Sequence, residues 1–126
     1  METDPKRPVP IYTTKGDAEA FLIYPYIFNL IGEWLGFVTP LREVYSVRGE
    51  YVGWLSNEPR ILRKRTYDIS KPMLTPPATP GRVMPPATIP LAPLMPELGF
   101  DTVDVLLEEP ERMPTMDMGE LREDMD

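Results

Sequence analysis

The chain has no cysteine and no histidine among its 126 residues. Without cysteine, no disulfide can staple the fold, and no thiol can act as a nucleophile or soft metal ligand. Without histidine, the commonest general base and the commonest imidazole ligand are both missing. A zinc site would have to be built from carboxylates alone. A nucleophile elbow, a P-loop and a dinucleotide fingerprint are also missing. The opening METDPKRPVP lacks an apolar h-region and a cleavage pattern, so no signal peptide is read there. These absences lead to an expectation of a cytoplasmic protein that is not an enzyme and uses no cofactor.

Long apolar runs are scarce as well. The one stretch worth a membrane check, FLIYPYIFNLIGEWLGFV (21–38), is interrupted by Pro25, Asn29, Glu33 and two glycines. A carboxylate at mid-bilayer is costly, so no membrane span is expected. Basic charge is sparse and unevenly placed. Residues 1–71 carry ten Lys and Arg against nine Asp and Glu, whereas residues 72–126 carry three against eleven. That is a near-neutral front with an acidic back, not the basic footprint of a nucleic-acid binder. The only basic cluster is RILRKR, with Arg60, Arg63, Lys64 and Arg65. It reads as a charged strand edge that discourages aggregation, or as a weak, salt-sensitive attractor for the acidic tail.

What the chain does have is repetition. PIYTTKGDAEAFL (10–22), YIFNLIGEWLGFV (26–38) and EVYSVRGEYVGWL (43–55) align without gaps, with periods of 16 and 17 residues. The first arm matches Ile11, Ile27 and Val44, then Tyr12, Phe28 and Tyr45. The turn matches Gly16, Gly32 and Gly49, each followed by an acid, Asp17, Glu33 or Glu50. The second arm matches Ala20, Gly36 and Gly53, then Phe21, Phe37 and Trp54, then Leu22, Val38 and Leu55. Each copy reads as a β-hairpin whose turn glycine takes a positive φ beside a G1-type bulge. Aliphatic and aromatic positions fall on opposite faces of each arm. With both faces apolar, the hairpins are expected to pack on one another. Gly36 and Gly53 are read as making room for a neighbouring hairpin's aromatic ring. Pro10, Pro25, Pro40 and Pro59 fall between or at the edges of the repeats, in connectors of four to five residues.

These residues, VYSVRGEYVGWL above all, resemble the 4-fold β-flower family of small bacterial modules. The resemblance covers about residues 9–68, and RILRKRTYD, the Pro-rich run and PLMPELGFDTVDVLLEEP look like the extension of one branch. It implies four hairpin-like repeats around a central axis, and it implies no activity. PRC-barrel strands and the YD repeats of secreted toxins share short, less specific features. A fourth copy is not legible as such. Ile61–Tyr67 is expected to be a degenerate fourth unit, or else a closing strand paired with the N-terminal one, with Thr66 at the turn-glycine position.

The fold class is therefore all-β, with three clear hairpins and a degenerate fourth, followed by a largely disordered Pro-rich tail with one short helix or strand. The expected organisation is a flexible N-terminus (1–8), a hairpin module (9–71), a Pro-rich linker (72–96), a short docking segment (97–110) and an acidic disordered tail (111–126). Residues 72–96 hold nine prolines in twenty-five positions and repeat PPAT at 76–79 and 85–88. Such a run favours polyproline II, as a semi-rigid linker or as a preformed ligand for an aromatic groove. Apolar residues return in 95–112, where Phe100, Val103, Leu106 and Leu107 have helical spacing, with Asp101 or Thr102 as cap and Pro110 as stop. Three outcomes stay open for this segment: docking on its own module, binding a protein partner, or adding a strand to a sheet edge.

Two functions are compatible with this. One is a non-catalytic interaction or scaffold module whose segment 97–110 recruits a partner or docks back. The other is a module that binds a small molecule or carbohydrate on exposed Tyr12, Trp34, Tyr45 or Tyr51. Exposure of those rings separates the two.

Overall fold

The computed structural model describes residues 7–66 and 72–115. Its strands are β1 (Val9–Tyr12), β2 (Ala18–Ile23), β3 (Tyr26–Asn29), β4 (Trp34–Val38), β5 (Glu43–Ser46), β6 (Tyr51–Leu55), β7 (Ile61–Lys64) and β8 (Thr102–Asp104). They form one antiparallel sheet in sequence order, curled into a half-barrel. A single helical turn, α1 (Val105–Glu108), and a 3-10 turn (Pro110–Arg112) follow.

The three repeats fold alike because their turns are built alike. Gly16, Gly32 and Gly49 have φ of +89°, +87° and +87°, a region where a Cβ is penalised. Their amides donate to Thr13, Asn29 and Ser46 carbonyls at 2.8–3.0 Å. The side chains of Asn29 and Ser46 accept further loop amides and hold the turns closed. Each hairpin also shifts register at the same place, leaving Glu19, Leu35 and Val52 as the extra bulge residues. The connectors between hairpins are two, four and five residues long, so the first is shorter than the expected range.

The two-faced pattern yields two apolar clusters. Ile11, Ile27, Val44, Val38 and Leu55 gather on the aliphatic side with Leu35, Val52 and Ile61. Phe21, Phe28, Phe37 and Tyr45 gather on the aromatic side with Trp34. Neighbouring hairpins meet ring on ring: Phe21 stacks on Phe28 and Phe37 on Tyr45, both with centroids 5.5 Å apart. Such pairs contribute about 0.5–1.5 kcal/mol beyond their burial. At the third junction Trp54 faces Leu62 instead, and it is only half-buried.

The room left by Gly36 and Gly53 serves a different neighbour from the one expected. A Cβ on Gly36 would run into the Tyr45 carbonyl oxygen, and one on Gly53 into that of Leu62. The backbone of the adjacent strand makes the close approach, not an aromatic ring.

The fourth hairpin exists, but its halves are far apart in sequence. Ile61 and Leu62 take the positions of Val44 and Tyr45, and β7 pairs with β6. The other partner of β7 is β8, with Leu62 opposite Asp104 and Lys64 opposite Thr102. Thus β7 is not paired with the N-terminal strand, and Thr66 is not a tight turn leading into a local second arm. Tyr67, the last residue of the expected unit, lies outside the described residues.

The C-terminal segment holds both a short strand and a short helix, but with a later start than expected. Val103 sits in β8, α1 starts at Val105 after the N-cap Asp104 instead of Asp101 or Thr102, and it stops before Pro110, which opens the 3-10 turn. Val105 and Met113 are buried in the aliphatic core, with Leu106 packed against it. The part of the expected tail at 111–115 therefore belongs to the folded body. Residues 116–126 lie outside the described residues, as do 1–6.

Candidate functional site

The Pro-rich segment, expected as a semi-rigid, disordered linker, is held against the module. Its course begins at the third hairpin, where the Leu74 amide donates to the Gly49 carbonyl at 3.0 Å. It crosses to the second hairpin, where the Tyr26 hydroxyl donates to the Ala78 carbonyl (2.8 Å) and the Val83 amide to the Gly32 carbonyl (3.2 Å). Arg82 Nε donates to the Ile31 carbonyl in the same turn, at 3.1 Å. At the first hairpin the Tyr12 hydroxyl donates to the Pro90 carbonyl (2.8 Å). The segment then reaches Arg60, which donates to the Pro96 carbonyl at 3.1 Å, and enters β8. We refer to it as the strap.

The strap's contacts explain the PPAT repeat. Leu74 and Val83 lie nine residues apart, each two residues before a Pro-Pro-Ala-Thr. Both meet a turn glycine by the same reciprocal contact. The amide donates to the glycine carbonyl, and the strap carbonyl occupies the space a Cβ would fill. Bends recur at Ala78 and Ala87, and Pro76, Pro77 and Pro80 share their half-burial with Pro85, Pro86 and Ile89. One nine-residue step of extended chain thus spans one hairpin. Nothing among the described residues lies within 4 Å of where a Cβ on Gly16 would be. Gly32 and Gly49 are buried, whereas Gly16 is exposed.

A polar seam joins the two ends of the sheet. Asp104 Oδ2 accepts from the Thr14 amide (2.7 Å) and hydroxyl (2.6 Å). Arg60, 1% exposed, donates to Thr14 Oγ1 and forms an ion pair with Glu58 at 2.9 Å. Burial raises the Glu58 carboxyl, but hydrogen bonds from Arg60 and Ser56 outweigh it and leave it below its ordinary value. Asp104 Oδ1 is buried without a hydrogen-bond partner among the described residues, which costs about 1–3 kcal/mol in a low-dielectric setting. The Tyr12 amide adds a 3.0 Å bond to the Pro59 carbonyl. First and last hairpins are thus linked by side chains and one turn carbonyl, not by a strand ladder.

The basic cluster meets acids throughout. Arg63 pairs with Glu109 at 2.6 Å, Lys64 with Asp101 at 3.4 Å and Arg65 with Glu108 at 3.5 Å. The hydrogen bond from Arg63 is the largest influence on the Glu109 carboxyl. Burial opposes it, but with the Arg112 hydrogen bond and both positive charges added the group is held down at about 2. The Lys64 ammonium holds Asp101 below its ordinary value.

The expected partner-binding residues separate. Val103 is fully buried, Leu106 packs on the core and Leu107 is half-buried. Phe100 is 95% exposed. Other apolar side chains stand out from the strap as well, namely Met84, Leu91 and Leu94, at 87–101% exposure. Of the rings considered for ligand stacking, Tyr12, Trp34 and Tyr45 are buried and Tyr51 is half-buried. Trp34 Nε1 is bonded to the Gly36 carbonyl at 2.7 Å, and Tyr51 packs edge-on against Tyr45. No group of three or more Asp, Glu, His or Cys able to hold a metal ion occurs among the described residues. No helix among them is long and apolar enough to cross a membrane.

The fold is thus an all-β sheet of repeated hairpins, with its two ends linked by the polar seam and an extended strap returning along its turns. The family model described as 4-fold beta flower protein matches residues 9–102, and the chain belongs to that family. The match includes the whole strap and stops at the first residue of β8. No curated protein and no solved structure matches the chain.

Proposed function

We propose that this protein is a non-catalytic interaction module, in which the hairpin sheet is a scaffold and the extension displays apolar side chains to a protein partner. The observation that carries this reading is the outward set Met84, Leu91, Leu94 and Phe100, fully or nearly fully exposed on a backbone pinned to the scaffold. Exposed apolar residues are unremarkable singly. Four of them on one fixed segment give a partner a preordered contact at little entropic cost. The burial of Tyr12, Trp34 and Tyr45 supports the same reading over ligand stacking.

The test substitutes all four with serine. These side chains make little packing, so the melting temperature should stay within a few degrees of the wild type. A partner that co-purifies stoichiometrically with the wild-type chain should be lost with the variant. Retention of that partner by the quadruple variant would refute the reading, and sedimentation of both proteins would reveal self-association through the same residues.

A further inference from the structure

We propose that the row of hairpin turns is a recognition site for extended, proline-flanked peptides. On this reading, residues 73–90 are its ligand supplied in cis and displaceable by a partner segment of the same chemistry. This inference concerns the inner side of the strap and does not depend on whether its outward side chains meet a partner.

The site has a repeating recognition unit. At each occupied turn an aliphatic residue gives its amide to the glycine carbonyl, Leu74 to Gly49 and Val83 to Gly32. Its own carbonyl then rests against the glycine Cα, where only a residue without a side chain fits. Tyr26 adds a hydroxyl aimed at the Ala78 carbonyl. Nearly every polar contact reads backbone, and the prolines keep that backbone extended. A side chain is read at the Gly32 step, where Val83 packs on the aromatic cluster, whereas Leu74 is exposed and the Gly49 step reads backbone. A peptide with aliphatic-x-Pro-Pro-Ala at nine-residue spacing meets these demands, whichever chain it comes from. The Gly16 turn has the same φ as the other two and has no described residue against it. The row therefore offers three steps, of which the strap fills two.

A tethered ligand competes with a free one at an effective concentration near ~1 mM, so the intact protein resists peptides in trans. Replacing Leu74 and Val83 by proline removes both donor amides while keeping the strap extended and the chain full-length. A fluorescent peptide of residues 73–90 should bind the L74P/V83P protein at least ~10-fold more tightly than the wild type, as the competing cis population falls. The same peptide carrying both prolines should bind neither protein. Equal binding of the two peptides overturns the proposal, and so does the absence of binding to the folded variant. Hydrogen exchange on the wild-type chain provides a measurement independent of any variant. Leu74 and Val83 amides should exchange at least ~10-fold faster than the Val44 amide, because the strap lifts while the sheet stays closed. Equal protection of strap and sheet overturns displacement.

Discussion

Replacing each turn glycine by alanine, one at a time, separates backbone strain from contact with the strap. Gly16, Gly32 and Gly49 have almost the same φ, +87° to +89°. The conformational penalty for a Cβ should therefore be nearly equal at all three, about 1–2 kcal/mol. At Gly16 nothing described adjoins the new methyl group, so that penalty is the whole cost. At Gly32 and Gly49 the methyl group would occupy the position of the Val83 or Leu74 carbonyl oxygen. The strap must lift there, losing the bond to the glycine carbonyl and straining neighbouring ones. Each hydrogen bond is worth about 0.5–1.5 kcal/mol net, so the extra cost is roughly 1–2 kcal/mol. It cannot exceed the free energy with which the strap docks locally, because lifting relieves the clash. Urea unfolding followed by tryptophan fluorescence measures the totals, and hydrogen exchange at Val83 and Leu74 locates the loss. Gly32→Ala should deprotect Val83, Gly49→Ala should deprotect Leu74, and Gly16→Ala should do neither. If all three cost the same within ~0.5 kcal/mol and the strap amides do not respond, the strap contacts are not energetically coupled to the turns.

Other substitutions probe the sheet and its closure. Gly36→Ala should cost about 3 kcal/mol, the upper end for overpacking, because the Tyr45 carbonyl is held in a ladder and cannot retreat; urea midpoints check this. Met113→Ala should cost about 2–3 kcal/mol by the same assay, since its side chain completes the aliphatic core from the far end of the chain. Glu109 has a folded-state value depressed from 4.5 to about 2, so its contribution is present above pH 4.5 and is lost as pH falls toward 2. The stability difference between wild type and Glu109→Gln should accordingly shrink across that window in acid-titration unfolding experiments, and a constant difference would exclude the Arg63 pairing as its source.

The three hairpins were legible because each repeats the same glycine, bulge position and alternation within 13 residues. The fourth was not, because its arms are separated by the strap and Leu62 stands where an aromatic stood in the others. Residue spacing could find Ile61 and Leu62 but could not supply Val103 as the returning strand. Helical spacing at 100–107 held only for its second half, where Leu106 and Leu107 lie in α1 and the helix stops before Pro110. Val103 and Val105 are buried by strand pairing and by the following turn, while Phe100, the first residue of the pattern, points away from the core. The PPAT repeat held the signal for the strap's step length. Its meaning required knowing that the hairpin turns stand one nine-residue step apart in space. Thr14, Asp104 and Met113 left no periodic trace, since each acts once, at a junction.

The separated arms of the fourth hairpin dictate an order of assembly. Hairpins one to three close loops of four or five residues and can form as soon as they are made. Between β7 and β8 lie 37 residues, and closing such a loop costs about 2 kcal/mol more than closing one of four. Until β8 arrives, β7 presents an open edge that invites pairing with other chains. Docking at Gly49, Gly32 and Tyr12 divides that single long closure into a series of short ones, each leading the chain one hairpin nearer to its last strand. Seating the strap should thus speed late folding as well as brace the finished sheet, and chains that cannot seat it should spend longer with β7 exposed.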